Sequence, residues 1–438
     1  SVEAYYRHTF DLLNNISIPL GSNFGKEVIS NIGNMVNKGI EISANFVPVE
    51  TEDWHWEIGG NITFQDVKIT KLTNDDATYL GVETGTSMGS NVGFSSLHRA
   101  GLDAQLAVDK ARKIIAGALN ADSANIIFTS GATESNNLAI RGICAAYGRN
   151  KRKIVASSVE HASVDETLTA MEKSGFEIVR ISPREDGKFY PVDFLAACDE
   201  KTVLLTMMQV NNETGHILPV KETFAAVKRK FPEIITHSDC VQAFMKLNIS
   251  AKALNADLIS ISGHKVHGAK GVGALYIKKG VRVLPIVTGG KQEKGIRSGT
   301  ESVPLICGFG AAVEALQPTI AERYAHAQML KDTLIGEISS IEGVTVNSPT
   351  DGSPYVINIS AAGKRSEIML HYLESFGIYV SSGSACSKGQ QSGVLGQFGI
   401  HGKSADSALR VSVCGDTTIE DIRSFAEKLR EGINSVRG

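Results

Sequence analysis

Strong charge of either sign is missing from this 438-residue chain: 44 Lys+Arg against 47 Asp+Glu leave a net charge of −3 at pH 7. That balance argues against a chain built to hold nucleic acid or an anionic membrane surface. Long apolar runs are missing too, and none approaches the ~18 residues of a membrane-spanning helix. Cysteine is sparse: Cys144, Cys198, Cys240, Cys307, Cys386 and Cys414, with no two at C-x-x-C spacing. A zinc site or redox pair, and a metal site in general, therefore has no support. Scattered single cysteines suit a reducing cytosol. Five of them are expected to pack as small hydrophobes, with Cys386 the exception. No secretory signal opens the chain. Ser1 stands where a methionine would, as in a fragment or a processed product. Repeats and low-complexity tracts are absent, and the length predicts two or three domains.

Two composition regimes meet near residue 94. Residues 1–94 hold 5 Lys+Arg, 12 Asp+Glu, no cysteine and both tryptophans. Ile40, Ile42, Ala44 and Phe46 alternate there with polar residues. After a turn-like stretch at 50–53, Trp54, Trp56, Ile58, Gly60, Ile62 and Phe64 alternate in the same way. Period-two alternation predicts a long antiparallel hairpin. An ordinary half-buried sheet and part of an outer-membrane barrel with an aromatic girdle both give that pattern.

From Ser95 the pattern changes. An amphipathic run over 97–119 leads into a strand over 125–130, and further strands read at 153–157, 177–181, 204–210, 234–238, 257–262 and 272–277. Helical patterns between several of them predict an α/β fold with a mostly parallel sheet. Beyond Pro304 come long helices, strands over 355–360, 378–382 and 409–413, and a final helix from Thr418, a second, smaller α+β unit.

The run DLISISGHKVHGAKGVGALYI over 257–277 places Lys265 between two strands, among Gly263, Gly268 and Gly271. Ordering a lysine at such a junction is costly in rotamer entropy. Glycines on both sides suit a lysine that a reactant must approach closely, as one forming a Schiff base would. A solvated turn lysine is the plain alternative. The strand over 125–130 ends in Gly131-Ala132-Thr133-Glu134, where a helix starts. That is either an anion site made of free N–H groups and the helix dipole or a simple capped helix. It matches neither a Walker motif nor a dinucleotide fingerprint. Ser262 and His264 can donate to the same anion. Asp239 and Gln242 follow the strand over 234–238. Open α/β sheets place ligand contacts at such strand ends, although an aspartate there is also a common helix cap. Asn212 sits in a turn that it can shape or use for binding. His161 is either a structural loop histidine or one that stacks on a ring and moves protons.

Cys386 stands in SSGSACSKG, a loop of small residues. A cysteine in such a loop is placed to react, and Lys388 favours its thiolate; an inert exposed thiol is the alternative. Arg410 can hold a carboxylate through two parallel hydrogen bonds.

Over residues 95–438 the motifs SSLHRAG, TSGATESNN, VEHASV, VNNETG, HSDCVQAF, SGHKVHGAKGVG, GIRSGTE, SSGSACSKG and LRVSV resemble, in order, those of NifS/IscS-type cysteine desulfurases, which are class V pyridoxal-phosphate enzymes. The resemblance implies fold type I, the aspartate aminotransferase-like fold, with a large domain over 95–303 and a small one over 304–438 that carries the Cys386 loop. It implies that Lys265 carries pyridoxal phosphate, that His161 stacks on the ring as acid/base, and that Asp239 pairs with the pyridine nitrogen. Asn212 and Gln242 would contact the ring oxygen, and Ala132, Thr133, Ser262 and His264 the phosphate. Thr300 would reach the phosphate of a second subunit, which implies a homodimer. Cys386 would take sulfur from L-cysteine as a persulfide, and Arg410 would bind the substrate carboxylate. A sulfur-acceptor protein, either an iron–sulfur scaffold or a tRNA-thiolation enzyme, would be the partner, and the setting cytoplasmic. No nucleic acid would be bound directly, and residues 95–438 would meet no membrane. A selenocysteine lyase or another class V lyase is the neighbouring reading.

SNIGNMVNKGIEISANF and DWHWEIGGNITFQDVKITKLTN resemble late barrel strands of SusC-type TonB-dependent outer-membrane receptors, over about residues 2–92. The joint near residue 94 then reads as a fusion or misassembly. The family's N-A-A-T-T-like opening segment has no counterpart before Ser95, and Lys291 stands where a third glycine is usual. An inactive chimera of receptor fragment and truncated desulfurase is therefore the reading from a different class.

Overall fold

The computed structural model describes residues 2–17, 27–50, 55–72, 94–361, 363–382 and 393–435. Two compact units divide at Leu106/Ala107, inside the helix Phe94–Ala118.

The first unit is a three-stranded antiparallel sheet of β1 (Val2–Ser17), β2 (Glu27–Glu50) and β3 (His55–Leu72), with β2 central. The predicted hairpin is β2–β3, paired Ile40↔Phe64, Ile42↔Ile62 and Phe46↔Ile58. That register puts apolar residues opposite one another, the pairing that stabilises sheets. β1 was not foreseen. Among the described side chains, Val36 and Tyr5 are half-buried, while Ile40, Ile42 and Phe64 are 45%, 40% and 51% exposed.

The second unit is built on a seven-stranded sheet: β4 (Ile126–Thr129), β5 (Lys153–Ser157), β6 (Glu177–Ile181), β7 (Thr202–Thr206), β8 (Ile235–Asp239), β9 (Leu258–Ser262) and β10 (Gly273–Ile277). The order is β4-β10-β9-β8-β7-β5-β6, and only β10 runs antiparallel to its neighbours. Every residue of β7 to β10 is buried. Alternate side chains feed two cores: Val155 and Ile259 join one cluster, Ile154 and Leu258 the other. A sheet covered on both faces reads as continuous apolar runs, which is why these strands were legible. The strand expected over 204–210 ends at Thr206, and beyond it Val210 makes only an isolated bridge to Ile217.

A smaller antiparallel sheet follows, of β11 (Val344–Val346), β12 (Val356–Ala361), β13 (Ser381–Ser382) and β14 (Ala408–Ser412), in the order β11-β12-β14-β13. Its core joins Ile357, Ile359 and Leu409 to Leu330 and Leu334 of the helix Ile320–Ile338 and to Phe425 and Leu429 of the helix Ile419–Ser435. The strand expected over 378–382 shrinks to two residues.

One expectation about apolar runs needs correction. The helical run Val303–Ile338 is long and apolar enough, by length and composition, to cross a bilayer. It breaks into a tighter turn at Gln317–Thr319, and its Ile306, Phe309 and Val313 belong to the main core cluster. The apolar content serves packing against the sheet. The cysteine expectation also narrows: Cys144, Cys198 and Cys240 are buried, while Cys307 and Cys414 are only half-buried.

Candidate active site

The C-terminal ends of β4, β5, β7, β8 and β9 open onto one cleft, where parallel sheets place ligand contacts. Its volume is about 620 Å³. Ten of the twelve residues singled out from the sequence line it: Ala132, Thr133, His161, Asn212, Asp239, Gln242, Ser262, His264, Lys265 and Arg410. Thr300 does not. It is exposed and lines a smaller neighbouring cavity with Arg297 and Glu301. Cys386 lies outside the described residues, but β13, which leads toward it, pairs Ser381 with Arg410.

Lys265 sits in a single tight turn, Gly263–Val266, directly after β9. Burial, and then the charge of Arg410, pull its ammonium pKa below the usual lysine value. Its Nζ has no hydrogen-bond or ion-pair partner among the described residues. Both effects favour the neutral, nucleophilic amine. The flanking glycines have another role than the one expected. A Cβ on Gly263 would meet Val272 Cγ1 at 2.9 Å and Ala269 O at 3.0 Å, and one on Gly268 would meet Gly263 O at 3.0 Å. They let the loop close on itself, while Gly271 supplies a φ of 86°.

The helix Ala132–Tyr147 starts after Gly131, whose φ of 155° and ψ of 173° lie in a region essentially restricted to glycine. Its first-turn N–H groups, which a helix leaves free, face the cleft with Thr133. Glu134 turns back to accept from Ser130 N at 2.7 Å and from Arg297 Nε at 2.8 Å, and these contacts hold its carboxyl below the ordinary range despite burial. On the other wall Ser262 Oγ and His264 Nδ1 are 2.7 Å apart.

Asp239 ends β8 and is 5% exposed. Burial raises its carboxyl pKa, opposed by hydrogen bonds from Val241 N–H and Asn136 and by the charge of His161. It has no salt bridge among the described residues, so a buried carboxylate awaits a cationic ligand. Asn136 Nδ2 donates to Asp239 Oδ2 and to Ser163 Oγ, both at 2.8 Å. Ser163 Oγ in turn lies 2.9 Å from His161 Nδ1, which also accepts from Ser163 N–H at 3.1 Å. His161 caps the helix Ala162–Lys173, as its structural reading expects, and it also lines the cleft. With Nδ1 accepting, a neutral ring carries its proton on Nε2.

Asn136, Ser163 and Lys246 were missed, though the first two lie inside quoted motifs. Asn136 sits on the buried face of its helix with Leu138, Ala139 and Ile140, and a polar residue on that face is the signal that was available. Lys246 Nζ donates to Gln242 Oε1 at 2.8 Å. Arg410 Nη1 donates to Asn212 O at 3.0 Å, while its buried Nε has no partner. The expected two-pronged grip on a carboxylate therefore has one arm already engaged.

Pyridoxal phosphate fits this donor set. A phosphate matches the turn at Ala132 and Thr133 with Ser262 and His264. A protonated ring nitrogen matches unpaired Asp239, and the aldehyde matches the amine of Lys265.

Comparison with known proteins agrees. The family described as "Aminotransferase class-V" matches residues 82–425, beginning upstream of the joint placed near residue 94. A mitochondrial cysteine desulfurase of Saccharomyces cerevisiae is 36% identical over 348 residues, 78% of this chain and 69% of that protein. The cysteine desulfurase IscS of Dictyoglomus turgidum is 38% identical over 347 residues, 78% of this chain and 88% of that one. Among solved structures, a NifS-like protein superposes with a TM-score of 0.72 at 33% identity, covering 76% of this chain and 89% of its own. A second, from Rickettsia africae, gives 0.68 at 30% identity, covering 77% and 90%. The chain belongs to the aminotransferase class-V family, which depends on pyridoxal phosphate, and within it stands among the cysteine desulfurases.

Proposed function

We propose that this chain converts L-cysteine to L-alanine and takes the sulfur as a persulfide on Cys386. The observation that carries the reading is the Lys265 amine, without a partner among the described residues, in one cleft with buried Asp239, which has no salt bridge among them. Bound pyridoxal phosphate supplies an electron sink for the charge left when the substrate Cα–H bond breaks. Thr133, Ser262 and His264 would hold its phosphate, Asp239 would keep its nitrogen protonated, and Asn212 and Gln242 would orient the ring oxygen.

Arg410 orients the substrate carboxylate with the donors not engaged by Asn212. Lys265, as a neutral amine, accepts the Cα proton at Nζ. The Cys386 thiolate then attacks the substrate sulfur. The new S–S bond forms as the substrate Cβ–S bond breaks, and that electron pair stays with the carbon skeleton. His161 Nε2 moves the proton that accompanies the exchange. Alanine leaves, and a nucleophilic acceptor takes the outer sulfur of Cys386. An iron–sulfur scaffold protein or a tRNA-thiolation enzyme is that acceptor in this reading. The enzyme works in a reducing cytoplasm as a homodimer, with exposed Thr300 offered to the second subunit's phosphate. Residues 95–303 form the large domain and 304–438 the small one. Residues 2–72 are read as outer-membrane-type strands joined to the enzyme. Their length, alternation and exposed Ile40, Ile42 and Phe64 support that reading.

The test is a pair of variants. Lys265→Ala is expected to lose the yellow, borohydride-sensitive colour of the lysine-bound cofactor. Cys386→Ser is expected to keep that colour yet release no sulfide from cysteine. Full sulfide release by Cys386→Ser would overturn the assignment.

A further inference from the structure

Lys265 also lines a second cavity, of about 90 Å³, that shares no other residue with the cleft. Its walls bring Lys246, Lys265 and Arg323 together with Tyr355, His267 and Cys414, and they contain no aspartate or glutamate. Tyr355 is 3% exposed, and its hydroxyl has no hydrogen-bond partner among the described residues. A buried hydroxyl is rarely left so, because the lost hydration is not offset. Lys246 Nζ makes one hydrogen bond, to Gln242 Oε1 at 2.8 Å, and lies 5.7 Å from the centre of the Tyr355 ring. Arg323 donates through Nε to Thr319 Oγ1 and through Nη2 to Met245 O and Leu316 O, while no bond from Nη1 is formed among the described residues.

The charge on this side is not matched from the other. Thr133, Ser262, His264 and Arg410 line the cleft, so an anion held there leaves Lys246 and Arg323 in the wall of the rear cavity with no salt bridge among the described residues. Burial, then the like charges of Lys265, Arg410 and Arg323, push the Lys246 ammonium down to about 8. Cations gathered around an unpartnered hydroxyl form an anion-binding cavity. At about 30 Å³ per water in the liquid, a space of this size has room for about three waters, enough for one small ion with a water or two beside it.

We propose that this rear cavity binds one small monovalent anion of halide size, held between Lys246 and Arg323 with the Tyr355 hydroxyl as donor. Binding there does not depend on the reaction assigned above. An anion there also favours the ammonium form of Lys265, so its occupancy bears on the reactivity of that amine.

The experiment compares the melting temperature of the full chain in sodium bromide and in sodium gluconate at equal ionic strength. A ligand that binds only the folded state raises stability by mass action, so a saturable rise of about 2–4 °C is expected in bromide. Lys246→Met should abolish the rise. Tyr355→Phe keeps the ring and its packing, and should raise the half-saturating bromide concentration about tenfold, the effect of losing one hydrogen bond to a charged group. Crystals grown in bromide should show an anomalous peak between Lys246, Arg323 and Tyr355. Equal melting in the two salts, a response retained by Lys246→Met, a rise that never saturates (an adventitious ion only), or bromide peaks solely elsewhere would each overturn the proposal.

Discussion

Replacing Asn136 by alanine tests the link between the two catalytic walls. Asn136 is fully buried, and its Nδ2 holds Asp239 Oδ2 and Ser163 Oγ at 2.8 Å each. A hydrogen bond to a charged group contributes about 1.5–3 kcal/mol and a neutral one about 1 kcal/mol, so Asn136→Ala should cost roughly 2.5–4 kcal/mol near neutral pH. The cost should depend on pH with a definite sign. Burial already raises the Asp239 carboxyl above its ordinary 3.8, and Asn136 pulls it back down. Without Asn136 it moves further up. An acid whose native pKa is raised loses stability as pH climbs from the unfolded value through the native one. The penalty of Asn136→Ala should therefore be smaller in acid and grow toward neutrality. Urea midpoints read by far-UV circular dichroism suit the measurement, because every described helix begins at Phe94 or later. In an Asp239→Asn background the charged bond is gone, and the loss should fall to about 1–2 kcal/mol, the signature of coupled residues. An equal loss in both backgrounds, or one that does not vary with pH, refutes the link.

Glu160 is buried beside His161, and its Oε1 accepts from Ser157 Oγ and from Met208 N at 2.7 Å. Burial pushes its carboxyl from 4.5 up to about 8, so the native protein keeps a proton that the unfolded chain releases, and stability falls as pH rises through that window. Glu160→Gln should flatten the decline between pH 5 and 8; urea midpoints with unchanged slope would show the acid to be ionised. A Cβ on Gly273 would lie 2.7 Å from Gly131 C and 2.8 Å from both Gly131 Cα and Ile261 O, all backbone atoms. Gly273→Ala should displace the phosphate turn and weaken pyridoxal-phosphate affinity at least about tenfold, equivalent to ~1.4 kcal/mol, by equilibrium titration; unchanged affinity would mean the turn yields freely. Glu293 is 6% exposed and accepts from Arg112 at 2.6 and 2.8 Å and from Phe128 N at 2.9 Å. Glu293→Ala leaves the half-buried Arg112 guanidinium with only Ile126 O and the more distant Glu301, with an expected loss of about 2–3 kcal/mol in urea unfolding, below that of a fully buried pair; a loss below about 1 kcal/mol would show Glu301 taking over the charge.

Strands buried on both faces were the most legible elements. The predicted range 153–157 coincides with β5, and 257–262 and 272–277 differ from β9 and β10 by one residue each, because apolar residues run through them and turn residues bound them. Strands that end in polar loops were read too long, as at Thr206, because local pattern does not reveal where a neighbour stops pairing. Asn136 and Asn137 show the limit at single residues. They are the same residue type, side by side. One reaches Asp239 and Ser163, and the other bonds back to Thr133 O in its own helix. Only the rotation of the helix against the sheet separates them.

By itself the sequence determined the chemistry available: a lysine in a glycine-rich turn, acids and amides at strand ends, an anion turn before a helix, and an arginine in a C-terminal strand. Those features are local, and each rests on a few neighbouring residues. Tertiary structure alone decided the rest. It set Lys265 in a cleft that lowers its pKa, left Asp239 buried without a cation, ran Asn136 between Asp239 and Ser163, and gathered Lys246, Arg323 and Tyr355 behind the lysine. The physical reason is range. Desolvation and charge coupling depend on groups separated by tens to hundreds of residues, and only the packed sheet fixes which of them meet.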